Sequence, residues 1–200
     1  MQDAIHHLRR NDPVLSAIID RVGEYRIRFR EPNFESLVKA IVFQQLSGKA
    51  ANLIYGRLWA GVQGQMTPEQ VLRLRPARMR KLGLSKQKTA YIRDLARHAR
   101  DRRLAFEELA AMPDAEVIER LTRVKGIGVW TVHMFLIFAL RRNDVLPTGD
   151  LGIRSAIRKA YGLEELPTPD LMESMAAKWR PYCSVASWYL WRSLEPDADL

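Results

Sequence analysis

Apolar residues recur every three or four positions along most of the chain, and this spacing predicts α-helices. The clearest stripe follows Asn33, a residue type that favours helix N-caps, and it comprises Phe34, Leu37, Val38, Ile41 and Val42. The apolar–polar alternation expected of a strand is approached only over residues 25–30, which stand alone. The pattern therefore predicts an all-α protein.

Start and stop signals position the other helices. Thr67-Pro68 and Ser85 are typical helix starts, while Gly83 and Gly162 suit helix ends. The stretch 129–140 is apolar nearly all round, which indicates a buried helix. The predicted helices cover residues 34–45, 85–100, 114–123, 129–140, 150–161, 170–179 and 182–194, with a further helix starting after Thr67.

Composition narrows the class of protein. The 200 residues are 47% hydrophobic and 28% charged, which fits a packed domain rather than disorder. The one cysteine, Cys183, excludes internal disulfides and iron–sulfur clusters, and the four histidines lack metal-ligand spacing. No stretch is long enough to span a bilayer, and the polar N-terminus predicts neither a signal peptide nor an anchor. We therefore expect a cytoplasmic, nucleoid-associated protein without membrane contact.

Positive charge is concentrated in one part of the chain. The formal net charge is +9, and the stretch 71–103 carries twelve basic residues against two acidic ones, Asp94 and Asp101. Such a cluster favours a polyanionic partner, nucleic acid first.

Two glycines, Gly126 and Gly128, lie in the connection between two predicted helices. They allow a tight turn whose amides, together with the dipole of the following helix, would favour a phosphate. An ordinary connection that needs two glycines explains the spacing about equally well.

The segment 124–128, Val-Lys-Gly-Ile-Gly, resembles the hairpin of the helix–hairpin–helix DNA-binding motif. The resemblance implies that Lys125, Gly126, Ile127 and Gly128 contact a DNA phosphate, with Arg154 close to the backbone. It also implies a monovalent cation, Na⁺ or K⁺, held by the backbone carbonyls of Thr122, Val124 and Ile127.

Asp150 follows the second hairpin glycine by 22 residues, in the loop Leu-Pro-Thr-Gly-Asp at 146–150. By itself an aspartate before a helix is most often an N-cap. A hairpin followed at this spacing by such a loop, however, resembles the helix–hairpin–helix base-excision DNA glycosylases, in which the aspartate is catalytic. The two roles are compatible.

That resemblance implies two helical subdomains with the active-site cleft between them. One would span about residues 34–141 and include the hairpin at 121–132. The other would combine residues 1–33 with 142–200, so that the 200 residues form a single glycosylase unit.

The branch of the superfamily is indicated by Trp130, which occupies the position of the nucleophilic lysine in members that also cut the strand. Without an amine there, no Schiff base can form and lyase activity is not expected. The single cysteine separately disfavours the iron–sulfur branch.

The chain resembles the alkyl-base branch, 3-methyladenine DNA glycosylase II, at residues 42–51, 82–91, 126–131 and 179–182. The similarity runs from about residue 34 to 194. The chain is similar to short members that lack an N-terminal β-rich domain. The resemblance implies a base pocket of Trp130, Met134 and Trp191, although tryptophans on apolar helices are often core residues. His133 is better explained as a packed helix residue.

The same resemblance assigns Gln44, Gln45, Leu46 and Ser47 to a loop that fills the gap left by a flipped nucleotide. The alternative is that the two glutamines simply end a helix at the surface.

These features predict a monomeric, monofunctional glycosylase that removes alkylated purines such as N3-methyladenine and N7-methylguanine from double-stranded DNA, with no required cofactor. Two alternatives stay open. One is a glycosylase for a neutral deaminated or mismatched base, and the other is a non-catalytic helix–hairpin–helix DNA-binding module.

Overall fold

The computed structural model describes residues 1–194, and these form helices with no strand among them. This confirms the all-α prediction. In chain order the helices are α1 (Gln2–Asn11), α2 (Pro13–Val22), α3 (Phe34–Phe43), α4 (Gly48–Gly61), α5 (Pro68–Arg73), α6 (Pro76–Lys81), α7 (Lys86–Arg100), α8 (Phe106–Leu109), α9 (Asp114–Thr122), α10 (Val129–Phe138), α11 (Leu151–Tyr161), α12 (Pro169–Ala176), a 3₁₀ turn (Ala177–Trp179) and α13 (Cys183–Leu194).

Most helix starts follow local sequence signals. The side chains of Asn33, Ser85 and Thr168 accept hydrogen bonds from backbone amides of the first turns of α3, α7 and α12. These contacts satisfy amides that lack partners within their own helices. Ser85 therefore starts α7 as predicted.

Three predicted helices end at least two residues earlier than expected, and the one predicted over 34–45 stops at Phe43. The helix predicted over 129–140 stops at Phe138, and Arg141 adopts a left-handed backbone with φ 57°. The helix predicted over 170–179 becomes a 3₁₀ turn after Ala176. Residues 25–30 form no regular structure. For the helices, the hydrophobic pattern identifies the element but does not locate its last turn.

The helices group into two compact units. The terminal unit combines residues 1–29 with those from 136 onward, and the central unit spans residues 30–135. In the terminal unit the core is built around α13, in which every residue from 183 to 190 is buried, and α1, α2 and α11 pack against it. Trp179 and Tyr189 are its largest fully buried side chains.

In the central unit, α7 packs against α3, α5 and α6. Its apolar face, including Ile92 and Leu95, is buried, as are Leu37 and Ile41 of α3. The opposite face of α7 bears arginines and lysines. Burying the apolar stripe supplies the main stabilisation of such a helix, because propensity alone is weak. Among residues 1–194, no helix combines the length and apolarity that crossing a bilayer requires.

Candidate active site

Asp150 ends the loop before α11 and caps that helix. Its Oδ1 accepts a hydrogen bond from the backbone amide of Ile153 at 2.8 Å and another from the indole Nε1 of Trp191 at 2.9 Å. The residue is only 8% exposed. The N-cap role is therefore real, and the indole adds a second constraint, so the carboxylate is held in one orientation within the terminal unit.

Gly152 leaves room for this arrangement, a role that the sequence pattern did not reveal. A Cβ at this position would lie 3.0 Å from Asp150 Oδ1 and 3.2 Å from Trp191 Cδ1. Glycine near a helix start costs helix propensity, and that cost is the signal that could have drawn attention to it. A side chain here would crowd the carboxylate–indole contact.

Trp191 is half-buried and is supported by a second ring that was also missed. Phe138 stacks with it, the ring centroids lying 5.8 Å apart at an interplanar angle of 29°. Phe138 and Trp191 are 53 positions apart in the sequence, which explains why no local pattern pairs them. The structure thus joins the predicted Asp150 and Trp191 and adds Gly152 and Phe138.

The hairpin connects α9 to α10 in the central unit. Gly126 has φ 84°, and a Cβ there would lie 2.0 Å from Tyr91 Cδ2, so only glycine fits over the tyrosine ring. Val124 and Ile127 are buried and anchor the turn, and the amide of Ile127 donates to the carbonyl of Val124 at 3.1 Å.

Two hairpin amides are well placed for an anion. Within residues 1–194 the amides of Gly126 and Gly128 donate to no group, whereas the amide of Lys125 donates to Asp94 Oδ2 at 3.0 Å. Gly128 is exposed and a side chain there would meet nothing within 4 Å. Amides without partners at a helix start favour a bound anion.

The segment between α3 and α4 is fixed to the hairpin. Gln44 donates through Nε2 to the carbonyl of Gly126 at 2.9 Å, and the ammonium of Lys88 donates to the carbonyls of Val42 and Gln44, both at 2.7 Å. Burial lowers the pKa of Lys88. Gln44 therefore does more than end a helix at the surface.

The rest of this segment is exposed. Gln45 has a left-handed backbone with φ 54°, Leu46 is 39% exposed, and Ser47 caps α4. The leucine therefore presents apolar surface to solvent, and all three residues are exposed.

The other predicted site residues have mixed surroundings. Trp130 is 47% exposed, which excludes the core alternative for this indole. Met134 and His133 are half-buried. Arg154 donates through Nε to the carbonyl of Pro167 at 3.0 Å, so part of its guanidinium is engaged within the terminal unit.

The carbonyls of Thr122, Val124 and Ile127 belong to the turn that would hold the predicted cation. A carbonyl oxygen has two lone pairs, so that of Val124 can accept the Ile127 amide and still bind an ion. Oxygen donors of this kind suit a hard cation. In residues 1–194 no group of His, Cys, Asp and Glu side chains is arranged to bind a metal.

These features, a glycine hairpin followed by an aspartate that caps a helix and is bonded to an indole, can be compared with known protein families. Residues 38–181 match the HhH-GPD superfamily of base excision DNA repair proteins, and the chain belongs to this superfamily.

Named relatives agree. The DNA-3-methyladenine glycosylase 1 of Schizosaccharomyces pombe is 36% identical over 194 residues, which cover 94% of this chain and 85% of that protein. A solved S. pombe 3-methyladenine DNA glycosylase in complex with abasic DNA superposes with a TM-score of 0.84 at 36% identity, covering 95% of each chain. The crystal structure of a DNA-3-methyladenine glycosidase from Bacillus halodurans gives 0.87 at 40% identity, covering 96% of this chain and 89% of that one.

Proposed function

We propose that this protein is a monofunctional DNA-3-methyladenine glycosylase of base-excision repair. It removes alkylated purines, N3-methyladenine and N7-methylguanine, from double-stranded DNA. The observation that carries the proposal is the carboxylate of Asp150, held by the Ile153 amide and the Trp191 indole at the start of α11. Relatives that cover most of the chain and bear this activity in their names support it.

The proposed chemistry needs little beyond a positioned negative charge. An alkylated purine is cationic and leaves readily, so the sugar develops oxocarbenium character as the bond between C1′ and the base nitrogen breaks. The Asp150 carboxylate stabilises that positive charge. A water oxygen then bonds to C1′ and gives up its proton, with Asp150 orienting or deprotonating it. The bond electrons leave with the base.

Access to the base requires the nucleotide to be flipped from the duplex. In this proposal the hairpin amides of Gly126 and Gly128, with Lys125 and the Ile127 turn, hold a backbone phosphate, and Arg154 assists. The exposed segment of Gln45, Leu46 and Ser47, positioned by Gln44, fills the gap. These roles, and a hairpin Na⁺ or K⁺ on the carbonyls of Thr122, Val124 and Ile127, are part of the proposal.

Base selection rests on Trp130, Met134 and Trp191, whose pocket roles are inferred from the family resemblance. An indole face attracts a cationic ring by about 0.5–2 kcal/mol, which adds a modest preference to the weak glycosidic bond. N3-methyladenine and N7-methylguanine should therefore be released ahead of hypoxanthine. The DNA strand stays intact because Trp130 offers no amine for a Schiff base.

The decisive experiment is base release from a methylated duplex by the purified chain. We expect free methylpurines and an abasic strand that breaks only on alkaline heating, with no adduct trapped by borohydride. Binding to the duplex without any base release would indicate a DNA-binding module instead. Fast release of hypoxanthine without release of methylpurines would indicate a glycosylase for a neutral, deaminated base instead. A borohydride adduct would overturn the monofunctional assignment.

A further inference from the structure

A second basic feature of the central unit lies beside the hairpin. A cavity of about 310 Å³ opens between α6, α7 and the hairpin, and we call it the α7 pocket. Five basic side chains line it: Arg80, Lys86, Arg93, Arg97 and Lys125. The glycosylase proposal assigns no role to four of them.

These cations are not neutralised locally. Among the described residues 1–194, no carboxylate forms an ion pair with Arg80, Lys86, Arg97 or Lys125. Of the described residues that line the pocket, Asp94 alone is acidic, and its carboxylate already accepts a hydrogen bond from the backbone amide of Lys125. The pocket therefore carries an excess of positive charge.

Other arginines of the same unit behave differently. Arg100 and Arg103 both pair with Asp101, and Arg120 pairs with Glu116 one turn away on α9. In these pairs a carboxylate offsets the charge of an exposed cation. The α7 pocket differs in that several cations without such a pair among residues 1–194 line one cavity, and this favours an anion there.

An uncharged residue in the pocket wall, Thr89, also favours a bound anion. Thr89 is only 3% exposed and lines the pocket, and its Oγ1 has no hydrogen-bond partner among residues 1–194. A buried hydroxyl without a partner is costly. An anion entering the pocket would accept a hydrogen bond from this hydroxyl as well as from the surrounding cationic side chains.

We infer that the α7 pocket binds a second backbone phosphate of the same DNA duplex, separate from the phosphate at the hairpin amides. The inference rests on the proposed function. Lys125 connects the two positions, since it belongs to the hairpin and lines the pocket. Arg93 helps to build the wall: its guanidinium donates to the carbonyls of Leu72 and Leu74 at 3.2 and 2.7 Å, which fixes α7 against the end of α5.

The test compares two triple variants with the same loss of charge. The pocket variant is R80Q/K86Q/R97Q, and the control R26Q/R100Q/R103Q removes three exposed arginines that pair with Glu24 or Asp101. Affinity for an undamaged duplex is measured as a function of salt. Losing one phosphate contact lowers the slope of log K against log salt by about 0.9, and we expect this from the pocket variant only. Equal slopes for both variants would overturn the inference.

Thr89→Val separates a built site from a diffuse basic surface. The substitution keeps shape and charge, so the salt slope should stay constant while duplex affinity falls about threefold to tenfold. The thermal midpoint should not fall, because the lost hydroxyl has no partner in the unliganded protein. Unchanged affinity would show that no ligand reaches the pocket wall and would overturn the inference.

Two further measurements identify where a failure lies. If the wild-type protein releases no base but the pocket variant still has the lower salt slope, the enzymatic proposal fails and the inference of a phosphate in the α7 pocket is kept. If base release is intact and the slopes match, only the pocket fails. Titration with inorganic phosphate completes the set: competition at millimolar concentration is expected, whereas phosphate binding tighter than duplex binding would overturn the assignment to DNA.

Discussion

Asp12 and Asp150 occupy equivalent positions in the terminal unit. Each is a buried aspartate that caps the helix after it, α2 or α11, and each accepts a hydrogen bond from a tryptophan indole. A sequence pattern would give both the same description. Their side chains are nevertheless held in different ways, and the difference separates an anchor of the fold from a candidate reactive group.

Asp12 uses both of its carboxylate oxygens internally. Oδ1 accepts the amides of Val14 and Leu15, while Oδ2 accepts the Tyr161 hydroxyl and the Trp179 indole and lies 3.2 Å from the ammonium of Lys178. It is completely buried. Burial acts to raise the pKa of Asp12, but the hydrogen bonds outweigh it, and the pKa lies below the ordinary 3.8.

Asp150 accepts two hydrogen bonds at Oδ1, from the Ile153 amide and the Trp191 indole, but it is 8% exposed where Asp12 is completely buried. The cap and the indole therefore orient a carboxylate that is still partly accessible. The lesson is that an N-cap aspartate should be judged by the exposure that it retains, as well as by the cap itself.

The largest expected effect is on catalysis. Asp150→Asn removes the negative charge while leaving Oδ1 to accept both hydrogen bonds, and asparagine is as good an N-cap as aspartate. We expect base release to fall at least about 100-fold with the thermal midpoint nearly unchanged. Single-turnover assays and thermal melts measure the two quantities. Wild-type turnover would reduce Asp150 to a cap.

Asp12→Asn should do the opposite. Whichever way the amide is turned, its NH₂ faces donors, either the Val14 and Leu15 amides or the Trp179 indole. We expect a loss of about 2–4 kcal/mol in the free energy of unfolding, measured by urea denaturation, with base release per folded molecule unchanged. A stable, inactive variant would contradict the anchor role.

Gly152→Ala tests the carboxylate–indole contact without touching either group. The added Cβ crowds Asp150 Oδ1 and the Trp191 ring, so base release should drop about tenfold. Alanine has the better helix propensity, by about 1 kcal/mol, so stability should not fall. Gly56→Ala in α4 is the matched control, because its Cβ meets nothing within 4 Å. Equal activity of both variants would show that the contact tolerates displacement.

The smallest effect concerns pH. Because the pKa of Asp12 is lowered in the folded protein, its stabilising contribution is complete above the ordinary value of 3.8 and is lost as the pH falls through the folded-state value. The free-energy difference between wild type and Asp12→Asn should therefore shrink only below about pH 4. Urea titrations between pH 2 and 6 would show this. A difference that shrinks near neutral pH would rule out Asp12 as its source.

Local patterns were sufficient for most of the fold. The stripe after Asn33, the start at Ser85 and the hairpin glycines each depend on neighbouring residues, and the structure bears out these elements. Helix ends were less predictable. The last turns after Phe138 and Ala176 depend on tertiary packing, which a single sequence does not reveal.

The candidate site was predictable only in part. Asp150 carries a local cap signal, but its bond to Trp191 crosses 41 residues, and the need for Gly152 follows only from that contact. Asp12 was overlooked although Asp12-Pro13 is a typical helix start. Thr89, with its unsatisfied hydroxyl, has no sequence signature at all.

Under the proposed gap-filling role of residues 44–47, the hydrogen bonds from Lys88 to the end of α3 and from Gln44 to the hairpin have a consequence for how damage would be found. A segment already held in place loses little conformational entropy when it enters a base stack, whereas ordering free backbone costs about 1–2 kcal/mol per residue. Each inspection of an undamaged base pair is then limited by the DNA's own stacking. Because lesions are rare among normal base pairs, such a preorganised segment would shorten each inspection and so speed the search for damage.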